Sequence, residues 1–165
     1  MRKLIMIIGI SLCLVSCSGK IESMNTPLDF VETVQSTDLS SETGELESLN
    51  ASEQTIIEQR GEPLQRGRTD REEVVLEYLD FQYILADDRV VSYSVKPGQM
   101  TAKQVKIGDD EERVIDAYGN DFYTREQDAL SIKGYVDKGN QKVIEFLLEQ
   151  NIVKMIFVSE LSLFK

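Results

Sequence analysis

One stretch of this chain occurs twice. Shifted by 58 positions, the segment that begins at Leu49 lies on the segment that begins at Ile107 without a gap. Leu49 meets Ile107, Glu53 meets Glu111, Ile56 meets Val114, Ile57 meets Ile115, Glu58 meets Asp116, and Gly61 meets Gly119. Each copy reads as a short capped helix. In the first, Ser52 is an N-cap, Gly61 suits the left-handed position after the last turn, and Pro63 blocks continuation. Ile56, Ile57 and Arg60 share one face through three- and four-residue spacing. In the second, Asp109 with Glu112 makes a capping box, the acidic first turn complements the helix dipole, and Gly119 closes the end.

Both helices are followed by strand patterns. Residues 65–71 are polar and read as a loop. Residues 73–85 are rich in β-formers and too long for one ordinary strand, which predicts either a bent strand or a hairpin turning near Asp80. Ala86 to Arg89 is a turn. In residues 90–95, Val91, Tyr93 and Val95 alternate with Ser92 and Ser94, the pattern of a half-buried antiparallel strand. Pro97-Gly98 ends it. In the second half, residues 129–136 are a strand, residues 137–140 a turn, and residues 142–148 and 152–158 a hairpin. The last strand is apolar on both faces, which places it inside a sheet with one face under a helix.

The expected fold class is α+β: two tandem helix-plus-antiparallel-strand repeats, residues 49–97 and 105–165, forming a sheet with short helices on one face. The pattern fits a true duplication, and it also fits two generic helix-hairpin units that share a spacing; a solenoid is excluded by two copies at this period. If Val91, Tyr93 and Val95 pack under the helices, the opposite face shows Gln82, Ser92 and Ser94, with Glu145 and Lys154. Those five residues are the candidate partner-binding face.

The N-terminus carries a different kind of signal. Arg2 and Lys3 precede an apolar run from Leu4 to Val15, the layout of a secretory signal peptide. The run is too short for a spanning helix, which needs about 20 residues. Leu14-Val15-Ser16-Cys17 resembles the lipobox of bacterial lipoproteins. The resemblance implies that residues 1–16 are removed and that Cys17 becomes the lipidated first residue, with acyl chains such as palmitate holding the protein to a membrane of the cell envelope. Ser18 is not the aspartate that retains such proteins at an inner membrane. The implied address is the outer membrane of a Gram-negative cell, or the outer leaflet of the cytoplasmic membrane of a Gram-positive one. The chain has two cysteines, Cys13 and Cys17, so the mature body would keep no thiol for a disulfide, a metal or a nucleophile. Residues 17–48 are rich in Ser, Thr and Glu and read as a flexible acidic tether. Within it, Leu28, Phe30, Val31 and Val34 form a small amphipathic element that could dock.

Charge and composition narrow the chemistry. The formal net charge is −11, and loss of Arg2 and Lys3 takes it to −13. A surface this acidic excludes nucleic acid as a partner and leaves membrane attachment to the covalent lipid. The sequence has no histidine, which removes Ser-His and Cys-His nucleophile systems and histidine metal sites. The carboxylate clusters at Asp87-Asp88 and Asp109 to Glu112 fit a turn and a helix start. Neither has the alternating ligands of a calcium loop. No catalytic residues, metal or cofactor are expected.

The segments Ile57 to Pro63 and Val114 to Asp121, with the strands at residues 90–95 and 152–158, are similar to the tandem modules of secreted β-lactamase inhibitor proteins. They also resemble the single module of small outer-membrane-assembly lipoproteins of the SmpA/OmlA type. The resemblance spans residues 49–163 and implies a non-catalytic protein-binding module whose free sheet face meets a protein of the envelope or the extracellular space. The chain lacks tryptophan and the cysteine pair that staples the inhibitor's repeats, so inhibition of β-lactamase does not carry over. Two other functions fit the same sequence: an inhibitor or immunity lipoprotein, and a carboxylate-based envelope hydrolase.

Overall fold

The computed structural model describes residues 25–46, 49–127 and 129–165. The expected signal peptide, residues 1–16, and Cys17 lie outside the described residues. Helix α1 (Glu53–Arg60) leads into β1 (Gln65–Arg68), β2 (Val74–Glu77), β3 (Phe81–Ala86) and β4 (Arg89–Val95). Helix α2 (Glu111–Tyr118) leads into β5 (Tyr123–Gln127), β6 (Leu130–Asp137), β7 (Lys142–Glu149) and β8 (Ile152–Glu160). Every pairing is antiparallel, and the strand order is β1-β2-β3-β4-β8-β7-β6-β5. Two four-strand meanders thus meet along their last strands and make one eight-stranded sheet. The fold class is α+β.

The two helices end in the same way for the same reasons. Ser52 accepts from the N–H of Thr55, and Asp110 from the N–H of Arg113. Asp110, not Asp109, is therefore the cap of the second helix. The carboxylate of Asp109 turns back and accepts from the N–H of Lys106 at 2.9 Å, leaving the next residue to start the helix. Gly61 and Gly119 sit at φ 81° and 93°, a region that favours glycine, and each N–H returns to the carbonyl four residues earlier. A tyrosine then holds each helix end: Tyr78, just past β2, donates to the Gly61 carbonyl at 2.8 Å, and Tyr135 of β6 to the Gly119 carbonyl at 3.0 Å.

The helices cover one face of the sheet. Ile56, Val114 and Tyr118 pack there against Tyr83, Tyr93, Tyr135, Phe146, Ile156 and Val158. The expected hairpin near Asp80 forms as β2 and β3, and β8 lies inside the sheet between β4 and β7. Val91 departs from expectation. A bulge between Ile84 and Leu85 shifts the β3–β4 register, so Val90 joins the core and Val91 does not. Residues 65–68, read as loop, form the edge strand β1, exposed along its length, and β5 went unseen at the opposite edge. Both are polar strands held by backbone pairing to one neighbour, and such strands carry no hydrophobic alternation.

The flexible tether expected over residues 17–48 does not describe residues 25–46, which are built into the body. A short 3-10 turn, Pro27–Phe30, lies on the sheet face opposite the helices. Leu28, Phe30, Val31 and Val34 pack there with Tyr123, Val136, Val143 and Leu161, and the Phe30 and Tyr123 rings stack at 4.7 Å. The chain then passes along β6, where the Thr37 N–H donates to the Val136 carbonyl at 2.8 Å. It reaches the helix side of the sheet, where Leu39, Leu46 and Leu49 are buried in the main core. Polar composition concealed this because its few leucines each occupy a core position, and Asp137 supplies a polar anchor. That carboxylate accepts from Leu39 N–H at 2.9 Å and from the backbone and side chain of Asn140 at 2.9 and 2.8 Å.

Leu39→Ala should destabilise the protein by about 2–5 kcal/mol in urea unfolding, as for other buried leucines; a change near zero would show that the segment is a tether after all. Burial pushes the Asp137 carboxyl up, but the hydrogen bonds from Asn140 and Leu39 outweigh it and hold the group below its usual 3.8. A lowered folded value means stability that is present above the unfolded value and lost as pH falls through it toward the folded one. Acid unfolding should therefore steepen below about pH 4, and Asp137→Asn should flatten that part of the profile.

Candidate functional site

Strand register decides which side chains share the face opposite the helices. Gln82 pairs with Ser94, Ile84 with Ser92, Ser92 with Ser159, and Ser94 with Phe157. Across β7, Glu145 pairs with Phe157 and Leu147 with Met155. The structure thus brings Gln82, Ser92, Ser94 and Glu145 onto one face. Lys154 is not with them. It sits at the bulge near Leu147 and Leu148, and its Nζ lies 3.3 Å from Glu149 beside the hairpin turn.

Most polar side chains named on this face bind one another. Ser92 and Ser159 share a buried hydrogen bond of 2.8 Å. Glu145 is buried and accepts from Arg125 Nε and Nη2, both at 2.8 Å, and from the Tyr123 hydroxyl at 2.6 Å. Arg125 also donates to Gln127 at 3.0 Å. Burial pushes the Tyr123 phenol well above its ordinary range, and the adjacent Glu145 carboxylate pushes it further. Burial works against the Arg125 charge, yet the Glu145 bonds outweigh it and hold the guanidinium above its usual value. Gly134 makes room for this cluster, since a Cβ there would lie 2.1 Å from the Tyr123 ring. Gln82 donates to Glu77 at 2.6 Å, and Lys96 ion-pairs with the same carboxylate.

Beside these pairs the face is apolar and partly open. A hollow of about 380 Å3 is lined by Ile84, Leu130, Leu147, Met155 and Phe157, with Phe164 from the C-terminal turn. It adjoins a second hollow of about 590 Å3, bordered by Asn25 to Pro27 and by Thr69 to Arg71 and Glu73. Met155 is 46% exposed. Arg125 and these apolar residues were missed at the level of sequence. The available signal was that β7 and β8 are apolar at successive positions, which requires both of their faces to be dry.

Two further buried acids, Glu42 and Asp137, lie on the helix side and at the end of β6, and Leu39 and Asn140 donate to Asp137. Glu42 accepts from the Tyr118 hydroxyl and from the Ala102 N–H. Each of these three buried carboxylates is thus engaged by donors. Among the described residues no group of three His, Cys, Asp or Glu is placed to hold a metal ion. No described helix is long and apolar enough to cross a membrane.

No protein-family model matches the sequence, and no curated protein matches it. Among solved structures, the chain is similar to an extracellular protein containing a SCP domain from Bacillus anthracis, with 13% identity and a TM-score of 0.52. That match covers 78% of this chain and 49% of the other. A cysteine-rich secretory protein from Staphylococcus aureus matches with 11% identity and a TM-score of 0.48, covering 70% of this chain and 45% of that one. A protein provisionally named a β-lactamase inhibitor protein, from Streptococcus mutans, matches at 14% identity with a TM-score of 0.27, covering 81% and 94%. This chain spans about half the length of the first two. The likeness to the Bacillus protein is one of fold alone.

The Arg125–Glu145 pair yields a double-mutant test. Glu145→Leu alone leaves the guanidinium buried without its partner and should cost about 3–5 kcal/mol, whereas Arg125→Met with Glu145→Leu should recover most of that loss. Urea unfolding of these two variants and of Arg125→Met alone measures the coupling; additive losses would show that the two residues act independently.

Proposed function

We propose that this chain is an extracytoplasmic lipoprotein, anchored through lipid on Cys17, whose eight-stranded sheet serves as a non-catalytic binding module for a protein of the cell envelope. The single observation that carries the reading is the sheet face opposite the helices. Ser92 pairs with Ser159, Arg125 with Glu145 and Gln82 with Glu77, an apolar surface lies beside them, and the N- and C-terminal turns cover only part of it. A partly exposed apolar face with a polar surround is the usual form of an interaction surface. Buried acids that are all engaged by donors support binding over catalysis, because a carboxylate whose oxygens already accept hydrogen bonds is poorly placed to take a proton from, or give one to, a substrate.

The anchor is supported by the order of Arg2, Lys3, the apolar run and the lipobox-like Leu14 to Cys17. It places the protein at the outer membrane or at the outer leaflet of the cytoplasmic membrane, according to cell type. The matching caps, glycine ends and tyrosine contacts of α1 and α2, with the same four-strand meander after each, support duplication of an ancestral unit. The acidic body serves solubility and disfavours nucleic acid.

Crosslinked pull-down of the tagged full-length protein from intact cells tests the reading, compared with Cys17→Ser and with a Gln82→Arg/Ser94→Arg double variant. Gln82 and Ser94 are half-buried neighbours on the face, so the variant adds charge without opening the core. The expected result is one specific envelope partner, retained by the wild type and reduced about tenfold in the double variant. Recovery of the same partner at the same level by that variant would remove the assigned face. Repeated recovery of no specific partner would remove the binding role.

A further inference from the structure

The groove on the second face offers a guest hydrocarbon contact and little else. On its inner floor Ser92 bonds Ser159, and Arg125 bonds Glu145 and Gln127. The backbones of β4, β7 and β8 are occupied by the sheet. A guest that relied on hydrogen bonds would lose them on entering, at a cost that apolar contact would have to offset. The outer rim differs, because Thr26, Asp70 and Arg71 line it. An apolar floor behind a polar rim fits a molecule with a hydrocarbon tail and a polar attachment. The hollows of about 380 and 590 Å3 fall within the roughly 300–1,000 Å3 of small-molecule sites.

The rim is also where the chain arrives from Cys17. Asn25, Thr26 and Pro27 line the outer hollow, and Asn25 follows Cys17 by eight residues. That segment spans at most about 29 Å when fully extended. An acyl chain on Cys17 is therefore confined near the groove, and covalent linkage raises its local concentration there.

We infer that the groove is a binding site for a fatty-acyl chain carried by Cys17, occupied when the protein is away from the bilayer. The inference rests on the lipid anchor proposed above. Once the protein reaches a membrane, the acyl chain passes into the bilayer and the groove opens. The same sheet face then becomes available to the envelope partner.

The test uses the full-length protein from bacterial cells fed a photoactivatable palmitate analogue, so that the label is carried on Cys17. The purified protein is exchanged into detergent-free buffer, shown to be monomeric by light scattering, irradiated, and mapped by mass spectrometry. Adducts should concentrate on the segments carrying Leu147, Met155 and Phe157. Met155→Glu should lower them about tenfold, and Leu130→Glu, at a half-exposed groove position, is the second groove variant. Leu79→Glu, at an 84% exposed turn, should leave them unchanged. Labelled protein whose adducts lie elsewhere, or ignore both groove substitutions, overturns the acyl site and leaves the anchor standing. Absence of label on Cys17 overturns both.

Discussion

The pairing of β4 with β8 is the join on which this molecule depends. Three residue pairs, Ser92 with Ser159, Tyr93 with Val158 and Ser94 with Phe157, connect two meanders that have no other strand in common. Their side chains alternate, so the join serves both faces at once. Tyr93 and Val158 point into the core under the helices. Ser92 and Ser159 meet on the other side in a buried hydrogen bond, which lets a polar pair sit inside a largely apolar face at no unsatisfied cost. Without this register the main core would divide into two small ones, each under a single two-turn helix, and short domains of that size hold poorly by burial alone.

The N-terminal segment solves the problem that remains. A single sheet with helices on one side leaves its other face to water, and here that face carries Tyr123, Val136 and Val143. The turn at Pro27–Phe30 covers those residues, and the chain then crosses along β6 to place Leu39 and Leu46 under the opposite face. One segment thus closes both layers. What it leaves uncovered is the strip from Ile84 to Leu147, flanked by the Arg125–Glu145 pair, and the apolar groove lies there.

Much of the architecture was legible from residue order. Caps and glycines announced both helices because those signals act within a few residues. Alternation announced β4, and continuous apolar runs announced β7 and β8. Signals that depend on distant partners stayed hidden. Strands β1 and β5 are polar because each lies at a sheet edge, and only pairing with β2 and β6 defines them. The N-terminal segment looked like tether because its composition averages over a few leucines whose burial is decided by residues some hundred positions away, such as Asp137.

The candidate site divides along the same line. The position of Gln82, Ser92, Ser94 and Glu145 on one face followed from strand parity, a local property of the backbone. Lys154 failed that rule because a bulge, a feature of paired strands, interrupts the parity. The identity of Glu145 as a buried partner of Arg125, and of the groove beside it, required the sheet to bring β5, β7 and β8 together. By itself the sequence determined two capped helices and the strand-rich segments after them, each written within short windows of residues. Only the tertiary structure decided which edges pair, which acids are neutralised and which apolar surface stays open, because those outcomes belong to contacts between residues far apart in the chain.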